Sequence, residues 1–494
     1  MYTIGYDIGS SSVKAALVEA ATGKVLARVS APATEMDMAA PAPGYAEQDP
    51  NDWYRYAREA THAILEKTQV AADAIKAIGI GYQMHGLVLV DADHQVVRPS
   101  IIWCDGRAVA TGETAFNAIG AEACLGHCLN SPGNFTAAKL KWVAENEADN
   151  YARARYAMLP GDYLALRLTG EATTTVTGLS EGVLWDFQEN DLAHLVIDAM
   201  GLDANKIPRR VPAVGYQGQL TPEAAADFGL HPGTVVGYRA GDQPNNAMSL
   251  NVLAPGEVAA TGGTSGVVYG VTDRLAYDPG QRVNSFAHVN HSGEVPRIGV
   301  LLCINGAGIL HRWVRNLVGG ADLSYGALEE LASQVPVGCD GLHCLPFGNG
   351  PERMLGNRNV GAHLLDLDFN RHGRAHVVRA GLEGIAFAFV YGMRIMQELG
   401  VDLSTIRVGN DNLFQSKVFS ETIAGLTGAT IEVYDTTGAV GAALAAGVSV
   451  DLADDLPSAL GRQHLLDRIV PGGYAQERAA AYARWETSLL ERLR

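Results

Sequence analysis

Apolar residues open the chain in three short runs, Met1–Asp7, Val13–Glu19 and Val25–Ala31, separated by the small polar breaks Gly9–Ser12 and Thr22-Gly23-Lys24. Runs of this length between Gly/Ser/Thr breaks predict an antiparallel meander of strands. A proline-containing loop, Pro41–Pro50, follows, and from Asp49-Pro50 the apolar spacing turns helical through about Thr68. Ile75–Tyr82 reads as a buried strand, and Leu87–Asp91 and Ile101–Trp103 as further strands. Ala137–Asn146 and Asp162–Leu168 carry helical spacing, and Thr173–Thr177 reads as a polar β run.

The second half repeats the opening logic. A new meander is expected near Thr234, and Glu257–Val271 again reads strand, Gly/Ser/Thr loop, strand. This is a repeat of pattern rather than identity, and it predicts two similar domains with facing loops. Helices are expected at Ala307–Val318, Leu328–Gln334, Val377–Leu399, Ser416–Thr427 and the small-residue stretch Gly438–Ala446, with strands at Ile406–Val408 and Thr430–Val433. The boundary falls near Gly241–Asn246, giving domains 1–243 and 244–494.

Composition narrows the partners. A net charge of −17 speaks against nucleic acid, whose phosphates need a basic surface. No apolar run reaches membrane-spanning length. The opening residues lead straight into a strand, so no signal peptide is expected. The six cysteines form no C-x-x-C pair and have no histidine cluster beside them, which predicts reduced thiols in a cytoplasmic protein rather than structural zinc. A homodimer is left open.

The candidate chemistry lies in two glycine turns and a carboxylate. Asp7-Ile8-Gly9-Ser10-Ser11-Ser12 and Gly262-Gly263-Thr264-Ser265-Gly266 each sit between strands, where successive backbone N–H groups form a nest for phosphate oxygens. Asp7 is placed to hold hydrated Mg²⁺, a hard cation that keeps several waters. Asp242, between Gly241 and the Gln243–Asn246 corner, supplies the carboxylate that a hydroxyl undergoing phosphorylation needs. The combination predicts phosphoryl transfer from a nucleotide to an alcohol. A plain hairpin with an Asp at its strand end is the structural alternative for the first turn, and a turn-capping Asp for Asp242.

These motifs, taken with QMHG at 83–86, W-x-D-x-R at 103–107, F-x-x-x-K-L-x-W at 135–142 and GAVGAALAAG at 438–447, resemble the FGGY carbohydrate kinases across essentially the whole chain. Within that family the likeness is greatest to the members acting on xylulose. The resemblance implies an α/β fold of two ribonuclease-H-like domains, of the actin/hexokinase/Hsp70 ATPase type, around a central cleft that closes on ATP, Mg²⁺ and a small sugar. It implies Asp242 as the catalytic base and, with Gln83, the pair Met84-His85 against the sugar. Trp103 and Asp105 are expected beside the sugar, although core packing and an Asp105–Arg107 ion pair explain them nearly as well. Asp162 resembles a position near the substrate, with a helix cap as the alternative.

On the nucleotide side the resemblance implies phosphate contacts from Gly9, Ser10, Ser11, Gly263, Thr264 and Ser265, and close approach by Gly306 and Gly308. The family's glycine-rich adenine loop reads Val408-Gly409-Asn410-Asp411-Asn412 here, leaving Gly409 and Asn410 as the contacts. Asp366 stands where the family commonly has glycine. Ribulose, gluconate or a polyol are alternative substrates. More distant readings are an actin- or Hsp70-like nucleotide-dependent binding protein, and a serine hydrolase using Ser180 in Gly178-Leu179-Ser180-Glu181-Gly182, a G-x-S-x-G match that needs a strand before it and a helix after it.

Overall fold

The computed structural model describes residues 1–320, 322–410 and 412–494. The chain forms two compact units, one from Met1–Leu253, Phe286–Ile298 and Thr436–Gln463, the other from Ala254–Ser285, Gly299–Asp435 and His464–Arg494. The units are therefore not separated by a single cut. The helix Gly438–Val448, which the sequence reading placed with residues 244–494, is part of the first unit.

In the first unit, β1 (Tyr2–Ile8), β2 (Val13–Glu19), β3 (Val25–Ala31), β4 (Ile75–Tyr82) and β5 (Val235–Gly241) make one sheet in the order β5-β4-β1-β2-β3. β1, β2 and β3 are the antiparallel meander, while β1, β4 and β5 run parallel. The run near Thr234, expected to begin a second meander, is instead the parallel edge strand β5. Every residue of β5 is buried, as befits a parallel strand covered on both faces.

Alternation along β1 sorts the two faces. Ile4, Tyr6 and Ile8 pack with Trp53, Ala57 and Ile64 of the Pro50–Thr68 helix, each buried isoleucine contributing about 1.5–3 kcal/mol. Gly5 and Gly79 lie on the other face under the Gly438–Val448 helix, where an added Cβ would run into the backbone of Ala439 and Ala442. Small residues on both sides thus let helix backbone and sheet backbone touch. Thr173–Thr174 alone is strand, and the rest of the expected β run is overturned. Thr175 caps a short helix, Val176–Glu181, its hydroxyl accepting from Gly178 N at 3.1 Å.

In the second unit, β6 (Glu257–Gly262), β7 (Gly266–Thr272), β8 (Asn284–Ala287), β9 (Ile298–Ile304), β10 (Thr405–Gly409), β11 (Thr430–Tyr434) and β12 (Leu465–Ile469) order as β8-β9-β7-β6-β10-β11-β12. The β6–β7 hairpin followed by parallel β10 and β11 repeats the β1–β2 hairpin followed by parallel β4 and β5. The two mixed α/β sheets bear out the expected fold class. The helix Arg374–Glu398 runs through this unit's core, Phe389 meeting Phe414 and Phe419 edge-on. Asp366 takes φ 61°, the left-handed backbone that glycine supplies and aspartate tolerates, so the departure at that position keeps the turn. Among the described residues no helix is long and apolar enough to cross a membrane.

Candidate active site

Parallel pairing brings the first unit's chemistry to one sheet edge. Asp7 pairs with Gly81, and Gly81 with Ala240, so the carboxyl ends of β1, β4 and β5 stand level. Ligands of open α/β sheets bind at such ends. From these ends emerge the Gly9–Ser12 turn, Gln83-Met84-His85 and Asp242, the first residue of the Asp242–Ser249 helix.

Gly438 is the hub between Asp7 and that helix. An added Cβ there would lie 2.7 Å from Asn246 Oδ1, 3.0 Å from Asn245 Nδ2 and 3.2 Å from Asp7 Oδ2. Asn245 Nδ2 donates to the Gly438 carbonyl at 3.1 Å. Burial raises the Asp7 carboxyl above its ordinary value, with Lys14 pulling the other way. Asp242 is pushed up to about 7, first by burial and then by the charge of Asp7, against hydrogen bonds from Gln243 and the charge of Lys14. Two carboxylates that repel each other, with a lysine as partial compensation, fit a divalent cation. Among the described residues no cluster of three or more His, Cys, Asp or Glu could cage a metal.

The Gly9–Ser12 turn is tied to the carboxyl end of β4 by Gln48, a residue with no motif around it in the sequence. Its Nε2 donates to the Ser10 carbonyl at 2.6 Å, and its Oε1 accepts from Gln83 Nε2 at 3.1 Å and Trp53 Nε1 at 3.3 Å. Gly9 N closes the turn on Ser12 O at 3.0 Å, and Ser11 O accepts from Met36 N at 2.8 Å. The Ser11 side chain remains exposed.

Met84 is brought beside Gly241, the residue before Asp242. Met84 is buried against Gly241, where an added Cβ would lie 2.6 Å from its Cγ. His85 takes φ 61°, and its ring lies 4.3 Å from Phe135 and 5.5 Å from Phe286. Its carbonyl accepts from Lys139 Nζ at 2.7 Å, and Lys139 also donates to Ile102 O at 3.0 Å. Burial lowers the Lys139 ammonium to about 7. The lysine of the F-x-x-x-K-L-x-W motif is thus the brace that holds the turned His85 backbone.

Asp105 and Asp162 are engaged elsewhere. Asp105 is fully buried, takes a two-oxygen grip from Arg107 with its closest contact at 2.7 Å, and accepts from Ala46 N. Asp162, at the third helical position rather than the cap, accepts from Leu159 N at 3.2 Å and pairs with Arg239 at 3.0 Å. Asp105 thus forms the ion pair with Arg107, and Asp162 supports the helix start from its third position. Trp103 is 52% exposed, on the loop that this ion cluster anchors.

Ser180 lies inside the Val176–Glu181 helix, and its buried Oγ accepts from Ala287 N at 2.8 Å. The strand-turn-helix geometry of a nucleophile elbow is absent, which overturns the hydrolase reading.

In the second unit a cavity of about 640 Å³ is walled by the phosphate-type hairpin, through Gly262, Gly263 and Thr264, and by Gly308, Tyr325 and Ser416. Its size suits a nucleotide. Gly308 N donates to Gly263 O at 3.0 Å and Ile309 N to Thr264 O at 3.1 Å, so the start of the Gly308–Gly319 helix locks the hairpin. Thr264 and Ser265 stay exposed at its tip. Gly308 is needed for this approach, since a Cβ would strike the Gly263 carbonyl, whereas Gly306 lies against the Pro346 carbonyl and serves packing. Gly409 ends β10, and Asn410 N donates to Tyr434 O at 3.1 Å. Neither lines this cavity, whose wall there is Leu413, Gln415 and Ser416. Asp411, from the expected adenine loop, lies outside the described residues.

Comparison with known proteins agrees with this geometry. Residues 2–249 match the N-terminal domain of the FGGY family of carbohydrate kinases, and residues 258–450 its C-terminal domain. The chain is 30% identical to the xylulose kinase of Klebsiella pneumoniae over 90% of this chain and 88% of that one. It matches the crystal structure of a xyloylose kinase from Brucella ovis with a TM-score of 0.89 and 27% identity, covering 100% of both chains. A gluconate kinase from Lactobacillus acidophilus shares the fold, with a TM-score of 0.88 at 20% identity over 99% and 97% of the two chains. The chain belongs to the FGGY family of carbohydrate kinases, ATP-dependent phosphotransferases.

Proposed function

We propose that this kinase phosphorylates the terminal hydroxyl of D-xylulose, giving D-xylulose 5-phosphate and ADP. The supporting observation is Asp242 just past β5, two residues beyond the Ala240 that stands level with Asp7 and next to Gly241, which abuts Met84, with a carboxyl pushed up to about 7. Named relatives at about this identity act on xylulose, which favours that ketose over gluconate or a polyol.

In this reading Asp242 accepts a hydrogen bond from the terminal hydroxyl and orients its oxygen toward the γ-phosphorus. As the new O–P bond forms and the bond to the ADP oxygen breaks, the hydroxyl proton passes to the Asp242 carboxylate. The proton leaves late because phosphoryl transfer is largely dissociative, so a modest base suffices. Met84 and the His85 ring hold the sugar, and the Gly9–Ser12 and Gly262–Gly266 turns hold phosphate oxygens through N–H and hydroxyl groups. Asp7 would be the residue that holds hydrated Mg²⁺, which when bound would neutralise phosphate charge. The six cysteines are free.

The test is ADP release by the purified protein with ATP and a panel of D-xylulose, D-ribulose, polyols and gluconate. The reading requires the highest kcat/KM for D-xylulose. A higher value for gluconate or a polyol reassigns the substrate, and no sugar-dependent ADP release refutes kinase activity on these sugars.

A further inference from the structure

In the second unit a series of contacts closes the wall of the cavity of about 640 Å³ into a ring. Gly308 N donates to Gly263 O at 3.0 Å, joining the phosphate-type hairpin to the Gly308–Gly319 helix. On that helix the His311 ring lies 4.9 Å from the ring of Tyr325, the first residue of the Tyr325–Ser333 helix. Glu329, a turn further on, meets Ser416 at the start of the Lys417–Thr427 helix. Leu413 then returns to the hairpin, since an added Cβ on Gly262 would lie 2.7 Å from the Leu413 Cβ. Glu329 is thus set apart from the hairpin by Tyr325 and His311 on one side and by Leu413 on the other, and it lines the same cavity.

The two arcs of the ring differ in hydrogen-bonding sense. Around the hairpin and the first turn of the Gly308–Gly319 helix the groups are donors, the turn N–H groups and the Arg312 guanidinium. At Glu329 they are acceptors. Glu329 Oε2 accepts from Ser416 Oγ at 2.5 Å and Oε1 from Val418 N at 3.0 Å, which leaves each oxygen a second lone-pair direction. Ser416 spends its hydrogen on that bond, and its oxygen also accepts from Phe419 N at 3.2 Å. Gln415 Nε2 is engaged with Asn410 O at 3.2 Å. Among the described residues no arginine or lysine pairs with Glu329. A triphosphate, which only accepts, suits the first arc; a base carrying an amino group suits the second.

Resting on the kinase reading above, with the triphosphate on the Gly262–Gly266 hairpin, we propose that Glu329 selects adenosine nucleotides, its carboxylate accepting a hydrogen bond from the 6-amino group of the base while Tyr325 and Leu413 flank the ring. Ser416 and Val418 fix the carboxylate before the nucleotide arrives, so the contact costs little ordering. A 6-oxo base in the same pose sets oxygen against oxygen with no hydrogen between them. A base with no 6-substituent merely forfeits the bond. Affinity should therefore fall in the order ADP, purine riboside diphosphate, inosine diphosphate. An amide at position 329 removes the repulsion, because glutamine donates to a 6-oxo group and accepts from a 6-amino group.

The experiment is calorimetric binding of these three diphosphates to wild type and Glu329→Gln, with melting temperature as a check on folding. Wild type should bind ADP about tenfold or more tightly than inosine diphosphate, with purine riboside diphosphate between them. Glu329→Gln should weaken ADP, strengthen inosine diphosphate and bring the two within about threefold. KM values for ATP and inosine triphosphate at saturating sugar should shift in the same ratio, with kcat and the sugar KM changed less. Parallel weakening of all three diphosphates by Glu329→Gln means that Glu329 only joins two helices, and overturns the assignment. Inosine diphosphate binding wild type as tightly as ADP, through the N1–H of a shifted base, overturns it too. If Glu329→Gln does not fold, the wild-type order decides alone, the stated order supporting the assignment and any other overturning it. The diphosphates bind without sugar, so the two readings fail separately. The expected order with no turnover of any sugar refutes the substrate reading and leaves Glu329 assigned, whereas sugar turnover with no discrimination between the diphosphates refutes only the role of Glu329.

Discussion

His85 Nδ1 lies 3.0 Å from the main-chain carbonyl oxygen of Glu181, with its ring between Phe135 and Phe286. A carbonyl only accepts, so Nδ1 carries the hydrogen, and in the neutral ring Nε2 presents a lone pair. Strand-end histidine and short helix are thereby locked in one orientation before any sugar arrives.

From that arrangement, His85→Ala should raise KM for the sugar about tenfold or more while kcat falls less, since one neutral hydrogen bond and a ring face are lost. Steady-state kinetics with saturating ATP measures both. A fall in kcat with unchanged KM would remove His85 from ground-state sugar binding.

Asp242→Asn should lower kcat by about 10²–10⁴ and leave KM for the sugar within a few-fold, the pattern of a missing base. Substantial residual kcat contradicts the role.

The same carboxyl sets a pH dependence. With Asp242 pushed up to about 7, the base form is lost as pH falls, so kcat/KM should decline on the acid side with a midpoint near neutrality. For stability the sign is opposite to that of a salt-bridged carboxylate. Its folded value exceeds the unfolded one, so the native state holds the proton more tightly and stability falls as pH rises from about 4 to about 7. Asp242→Asn should therefore raise the melting temperature relative to wild type at pH 8 and not at pH 4, as a scan at both values would show.

Gly308→Ala should raise KM for ATP several-fold with little change in KM for the sugar. The added methyl meets the Gly263 carbonyl and pushes the phosphate hairpin off the helix start. Equal effects on both substrates would indicate general loosening instead.

Ser180→Ala should keep kcat within about twofold and cost roughly 1–3 kcal/mol of stability, because the Ala287 N–H loses its buried acceptor. Urea unfolding beside the ADP assay reads both. Abolished turnover in a folded variant would reopen a covalent role for this serine.

Much of this was legible in the sequence for a physical reason. The Gly9–Ser12 and Gly262–Gly266 turns punctuate hydrophobic runs, and the alternation of β1 residues tells which of them face the Pro50–Thr68 helix. Asp7 and Asp242 stand at strand ends, where short-range pattern and chemistry coincide. What depended on distant pairing was not legible. Val235–Gly241 looks like any buried strand, and only its register with β4 shows that it closes the first sheet. Thr173–Thr177 has strand composition, yet Thr175 spends its hydroxyl as a cap and turns the chain into a helix. Gln48 and Glu181 lie 35 and 60 positions from the strand-end residues they touch or approach, so no local signal marks them. The Asp105–Arg107 ion pair was legible from their spacing, whereas the pairing of Asp162 with Arg239 depends on tertiary structure.

The three-segment composition of the first unit has a consequence for biosynthesis. A ribosome reaches Leu253 with all five strands of that sheet made, but the Gly438–Val448 helix that covers Gly5 and Gly79 emerges only after the intervening segment has been translated. Until then the nascent sheet carries an uncovered face, a surface that chaperones bind and that aggregates at high expression. Maturation of the first unit thus waits on elongation, and slowed translation between these points should lengthen the vulnerable interval.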